Sequence, residues 1–179
     1  FWEKVYAAVH EKIASMNPCP CGYYNHPDKE CSCAPGAVHR YMNRISGPLL
    51  DRIDLHVEVT PVSIAEMASA EPGEPSAAVR ERVVLARKVQ EERFRGVEGV
   101  HTNAMMNPKM LRACCRLDAA SAALLERAME RLNLSARAYD RILKVARTIA
   151  DLAGAADIGA AHIAEAINYR SLDRESWGR

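Results

Sequence analysis

The sequence contains no GxxxxGK[ST] segment and no apolar run ending in paired acids. A chain uses the first to cradle triphosphate oxygens and the second to hold Mg²⁺, so this stretch does not bring its own phosphate loop. No run approaches the ~18–20 apolar residues that span a bilayer and no leader peptide is visible, so the chain reads as soluble and without a membrane partner. Its cysteines, beside an apolar remainder that needs no disulfide staples, suit a reducing cytoplasm. Two phenylalanines and two tryptophans leave little for a surface on which bases could stack. Charge of neither sign is in excess: 24 Lys and Arg stand against 23 Asp and Glu, a formal net charge of +1. Global electrostatics therefore argues neither for nor against nucleic acid, although a local groove could still be basic. What is present, 49% hydrophobic and 26% charged residues, is enough for a packed core and excludes a disordered chain.

Cysteine is the residue that is not scarce. Four of the six, Cys19, Cys21, Cys31 and Cys33, fall in one proline-rich stretch. Four thiolates surround a Zn²⁺ ion tetrahedrally, and Pro18, Pro20 and Gly22 help the chain fold back on itself. A Cys-x-Cys pair is an unusual spacing for a zinc knuckle. His26 is a possible substitute ligand, and two disulfides or free thiols are the alternatives. A four-ligand zinc would be structural, since no coordination position is left for water. Cys114 and Cys115 are adjacent in an expected helix, where neighbouring side chains diverge, and read as small core residues.

Along the chain, residues 1–14 carry apolar residues at helical spacing. Prolines from 18 to 35 forbid a helix there. A short helix over 37–45 is broken by Ser46-Gly47-Pro48. Ile53 to Val59 alternates apolar and polar residues as a half-buried strand does. Residues 68–75 form a linker. Then come helices over 76–94, capped by Ser76 and burying Val79, Val83, Ala86 and Val89 or Gln90, and over 119–132, capped by Asp118. A helix over 136–152, capped by Ser135, puts Ile142, Val145, Ala146, Ile149 and Leu152 on one face. Gly154 ends it, and a last helix spans 159–169. A further short helix starts at Asn107-Pro108. The fold class is mainly α: a small strand-containing piece, then a bundle of about four helices.

Two arginines stand out. Arg52 sits at the junction of a turn and the expected strand, flanked by Asp51 and Asp54; residue type alone reads it as a surface ion-pair residue. Arg137 falls in the first turn of a helix, where a cation opposes the helix dipole unless a phosphate is nearby. Arg141 and Lys144 continue that flank, and Arg147 is placed to pair with Asp151 at i,i+4.

The ordered set MNPCPCGYY, CSC, YMNRISGPLLDRIDLHVEV, LSARAYDRILKVARTIADL and HIAEAINYRSLDR resembles the bacterial Mg-chelatase-like AAA+ ATPases, in the branch linked to competence and DNA branch migration. The resemblance covers about Met16 to Arg174. It implies that Asn17 is sensor 1, which positions the attacking water, and that Arg52 is the arginine finger offered to a neighbouring subunit. By the same resemblance Arg137 is sensor 2 of a helical lid that contacts ATP phosphate. The four cysteines match an insertion of this branch.

The implied domains are the end of an AAA+ α/β core over 16–67, with the strand and the cysteine loop, and a lid over 76–179. Residues 1–15 do not match the family, which places an apolar strand before the sensor-1 asparagine. The resemblance implies ATP and Mg in an intact homo-oligomeric ring, a hexamer acting on DNA, with zinc in the cysteine loop. Without Walker motifs or the family's N-terminal domain, this chain is expected to be the C-terminal part of such an enzyme and inactive by itself. The alternatives are a non-catalytic zinc-containing module that binds DNA or a protein, and the ATPase subunit of a metal chelatase.

Overall fold

A computed structural model describes residues 13–62, 67, 68 and 73–170. The helix expected over 1–14 falls, but for its last two positions, outside the described residues. The chain divides into two units, with the boundary between Arg44 and Ile45.

The first unit is the proline-interrupted loop, as its composition requires, followed by helix α1 (Ala37–Met42). Among its described residues, Cys19 and Met42 are the buried ones.

The second unit opens with a single helical turn, α2 (Gly47–Leu50). Pro48 lies at its start, where a missing N–H removes no hydrogen bond, so the proline begins a turn, whereas α1, expected to run to residue 45, has already ended at Met42. The strand expected over 53–59 is not formed. The segment has neither helix nor ladder, and among the described residues the one β-bridge is an isolated parallel contact of Leu117 with Ile158. Strict alternation says only that two faces differ, and a strand exists when a neighbour takes its backbone groups. Here Leu55, Val57 and Val59 face solvent, and the residue that turns inward is His56.

The bundle consists of α3 (Ser76–Arg93), a 3-10 turn (Asn103–Met105), α4 (Pro108–Cys114), α5 (Ala119–Arg131), α6 (Ala136–Leu152) and α7 (Ala160–Asn168). Asn107, Asp118 and Ser135 each cap a helix by accepting a backbone N–H with the side chain. Ser76 does not: it is the first helical residue, and extended Pro75 precedes it without a side-chain cap. Gly154, at φ 67°, ends α6 in the left-handed conformation, with the Ala155 N–H bonded to Ala150 O at 2.9 Å.

Helix α6 is the centre of the core, with Ile142, Leu143, Ala146 and Ala150 packed against Leu125 of α5 and Ile163, Ala166 and Ile167 of α7. Each large apolar side chain so enclosed contributes roughly 1.5–3 kcal/mol. Val145 and Ile149 pack at the edge of this core, while Leu152 is 45% exposed. The expected inner face of α3 is half right: Ala86 is buried, and of the pair Val89 or Gln90 it is Gln90 that turns inward, but Val79 and Val83 are exposed.

Besides Phe94 at its C-cap, which joins the apolar core, α3 is tied to α6 by a polar network. Asp151, with its carboxylate fully enclosed, accepts from Arg93 Nη1 at 2.7 Å, Asn103 Nδ2 at 2.8 Å and Arg147 Nε at 3.1 Å. Arg147 also donates to the carbonyls of Ala155 and Ala156. Two cations on one buried carboxylate, with nearly every donor used, is the arrangement that makes such burial tolerable.

Candidate functional site

The cysteine centre lies in the first unit. A turn closed by Gly22 N–H to Cys19 O at 3.0 Å brings Cys21 back beside Cys19, and Gly22 takes φ 83°, which a residue with a Cβ adopts only under strain. Sulfur separations are 3.3 Å for Cys19–Cys21, 3.7 Å for Cys19–Cys31 and 3.5 Å for Cys21–Cys31, and all four Sγ atoms lie within 4.8 Å of one another. A bonded S–S pair is at about 2.05 Å, so these are not disulfides. A tetrahedron with Zn–S of about 2.3 Å has edges near 3.8 Å, which is close to the spacing here.

The electrostatics fit the same donor set. The Tyr23 backbone N–H, followed by the other thiols, pulls the Cys21 thiol down to about 5. At Cys33 a backbone hydrogen bond from Cys21 acts downward, but burial and the three neighbouring sulfurs outweigh it and push the thiol up to about 12. One thiolate forms readily and makes others harder to form, a conflict that a divalent cation among the sulfurs removes. His26 does not join the set: its Nδ1 accepts the Asp28 N–H at 3.0 Å, and its ring sits edge-on to Tyr23. Asn17, two residues before Cys19, is exposed and has no side-chain hydrogen bond among the described residues.

The two arginines lie in the second unit. Arg52 follows α2, and its guanidinium is exposed without an ion pair among the described residues. Both flanking carboxylates are engaged elsewhere. Asp51 Oδ2 accepts from Ser135 Oγ at 3.1 Å, and Asp54 Oδ1 lies 2.8 Å from Arg141 Nη1. That second contact is a charge pair and not an aligned hydrogen bond, since Oδ1 is buried without a donor directed at it. Among the described residues, no carboxylate takes up the ion-pair role that residue type alone gives Arg52.

Arg137 occupies the second position of α6 and is likewise exposed and unpaired among the described residues. The rest of the flank is not free. Arg141 is held by Asp54, and Lys144 Nζ donates to Ala104 O at 2.8 Å. Burial, reinforced by the nearby Arg141 charge, pulls the Lys144 ammonium below its ordinary range.

Arg170, 1% exposed, was not singled out by the sequence. Its Nη1 donates to Ile53 O and its Nη2 lies 3.4 Å from Leu50 O. His56 joins this cluster through its backbone, donating to Tyr169 O at 2.7 Å. No local pattern signals these contacts, because they link positions more than a hundred residues apart.

Comparison with known proteins gives matching identifications for both halves. Residues 73–170 match the family model described as magnesium chelatase, subunit ChlI C-terminal, and residues 3–67 match the model for magnesium chelatase, subunit ChlI. The second range begins inside the segment 1–15 that the sequence reading set apart. Competence protein ComM of Haemophilus influenzae is 42% identical over 170 residues, 94% of this chain and 32% of that protein. The uncharacterized protein YifB of Escherichia coli is 40% identical over 171 residues, and an uncharacterized protein of Mycobacterium tuberculosis is 38% identical over 165, each covered to 32%. The chain thus spans about a third of the length of these relatives. Among the described residues no helix is long and apolar enough to cross a membrane. With a bundle of the lid type and both family models matched in order, the chain belongs to the Mg-chelatase-like AAA+ family.

Proposed function

We propose that this chain supplies the lid, sensor 2 and arginine finger of a hexameric ring ATPase that remodels DNA. Arg52 acts on ATP held by the neighbouring subunit, Arg137 contacts the phosphates of the subunit's own nucleotide, and Asn17 orients the attacking water. In this reading residues 16–67 close the AAA+ core and 76–179 are the lid, with nucleotide and Mg²⁺ held by sequence outside this chain. One observation carries it: Arg52 and Arg137 are exposed and, among the described residues, unpaired, while both carboxylates beside Arg52 are engaged by other residues. A permanently charged fork held free of local partners is what recognition of a phosphate from another chain requires. DNA as the substrate rests on the resemblance and on the name of the Haemophilus relative as a competence protein.

Removing an arginine finger costs roughly 10³–10⁵ in phosphoryl-transfer rate. Arg52→Ala in the intact ATPase should therefore nearly abolish turnover, and near-normal turnover would overturn the assignment. The 179-residue chain alone should neither bind ATP tightly nor hydrolyse it, which calorimetry checks directly.

The spacing of the four sulfurs favours a second component of this reading, a structural zinc held by Cys19, Cys21, Cys31 and Cys33. It would cross-link the loop without taking part in chemistry. If the chain itself bound DNA in a salt-dependent manner, the non-catalytic zinc module would be the better description.

A further inference from the structure

Resting on the roles proposed above for Arg52 and Arg137, we infer that Arg141 and Arg170 are positioning residues that fasten the Arg52 segment to the helix carrying Arg137. The aim of the finger at a neighbouring subunit then follows the seating of the lid on this subunit's own nucleotide.

The argument starts from how the segment is held. Among the described residues it pairs with no strand, so no ladder fixes Arg52. Its anchors come from the two ends of the α6–α7 pair. Ser135 at the start of α6 holds Asp51, Arg141 one turn into α6 holds Asp54, and Tyr169 and Arg170 beyond α7 hold His56, Ile53 and Leu50. Residues on both sides of Arg52 are thus tied to the bundle, while Arg52 itself is left outward.

Arg170 is the costly member. A guanidinium at 1% exposure has lost its water, and two of its donors go to the carbonyls of Leu50 and Ile53, which bracket Arg52. A planar fork on two carbonyls fixes direction as well as distance. Arg141 supplies the link to the sensing arginine. Positions i and i+4 share a face of a helix, so Arg137 and Arg141 are neighbours on α6, and Asp54 is held one turn from the group that contacts nucleotide. A movement of α6 on nucleotide binding is thereby transmitted to Arg52 through one ion pair and the backbone between Asp54 and Arg52.

Arg141, whose side chain is 31% exposed, can be changed with less risk to folding than buried Arg170. In the intact ATPase, misplacing a catalytic group by about 1 Å costs on the order of 10²-fold, so Arg141→Ala and Asp54→Asn should each lower kcat by about 10- to 100-fold. The apparent KM for ATP and the midpoint of thermal unfolding should stay close to the unmodified enzyme. The exchange Arg141→Asp with Asp54→Arg should recover most of kcat. In rings mixed with subunits unable to hydrolyse ATP, the defect should appear at the site facing the altered subunit's finger.

If Arg52→Ala abolishes turnover while Arg141→Ala and Asp54→Asn do not lower it, the coupling is wrong and the finger stands. If Arg52→Ala itself is harmless, the functional reading falls first. A loss in Arg141→Ala that tracks weaker ATP binding, or a failed exchange accompanied by lower thermal stability, also overturns the positioning role.

Discussion

Ser135 donates its hydroxyl to Asp51 Oδ2 at 3.1 Å and accepts the Ala138 N–H at 3.2 Å, so one side chain caps α6 and ties down a residue 84 positions earlier. The same contact places a carboxylate beside the N-terminus of α6, where the helix dipole favours negative charge. That end of the helix is already complemented from within the chain. A phosphate approaching Arg137 would meet a fixed anion nearby, and its recognition would rest on the guanidinium more than on the dipole.

Ser135→Ala removes both bonds. Loss of a cap costs about 1 kcal/mol and an unsatisfied partner adds a comparable amount, so a destabilisation of roughly 1–2 kcal/mol is expected in urea unfolding of the 179-residue chain. Asp51→Ala should cost less, because the cap survives it. The double variant should cost less than the sum of the two, since both singles break the same contact. Strict additivity would show that the 3.1 Å bond contributes nothing in solution.

The helices were legible because their signals are local. Asp118 and Ser135 cap where residue type places them, and Ile142, Ala146, Ile163 and Ile167 are buried where a period of 3.6 puts them. The four cysteines were legible for the same reason, since Pro20 and Gly22 act within a few residues. What failed depends on partners distant in sequence. Ile53 to Val59 has the pattern of a strand but, among the described residues, no neighbour to pair with. Val79 and Val83 have helical spacing but are exposed, the buried positions of α3 being Ala86 and Gln90. The burial of Arg170 and the engagement of Asp51 and Asp54 are set by tertiary contacts, which no window of neighbouring residues contains.

Asp151 should control the acid limit of stability. Burial acts to raise its carboxyl, but hydrogen bonds from Arg93 and Asn103 and the charges of Arg93 and Arg147 outweigh it and hold the group below its ordinary value. Asp118 is also held low, chiefly by the Ser121 backbone N–H. A carboxyl depressed on folding contributes stability that is complete above its unfolded value of ~3.9 and is lost as pH falls through the folded value. The chain should therefore keep its stability to about pH 4 and lose it below that. Asp151→Ala, by leaving two cations against a buried gap, should cost roughly 3–5 kcal/mol at neutral pH and flatten the acid limb. Stability measured from pH 7 to pH 3 in both proteins tests the sign and the size together.

Purified under reducing conditions, the chain should carry about one equivalent of zinc, as four thiolates complete a closed tetrahedral site. Cys19→Ser and Cys31→Ser should each reduce the metal content sharply, while His26→Ala should leave it unchanged, because His26 Nδ1 is already taken by the Asp28 N–H. Acidification should release the ion, since protons compete for the thiolates. Cys115 provides an internal contrast: burial pushes its thiol up to about 12, so it should resist alkylation at pH 8 until the bundle unfolds. Elemental analysis and mass spectrometry of the alkylated chain distinguish these outcomes. A metal-free protein with four readily alkylated loop thiols would exclude the zinc.

The valines of α3 separate the observed core from the one that periodicity suggests. Val83 and Leu85 are 45% and 62% exposed, whereas Ala86, one residue on, is 4% exposed. An exposed substitution away from caps and networks changes stability by no more than about 0.5 kcal/mol, so Val83→Lys should leave urea unfolding of this chain almost unaltered. Ala86→Leu should destabilise it by roughly 1–3 kcal/mol, because a larger side chain must be forced between α3 and its neighbours. The opposite ranking would mean that Val83 faces the core and that α3 is rotated about its axis from the orientation described. That rotation would also move Arg93 away from Asp151, so loss of the acid sensitivity attributed to Asp151 should accompany it.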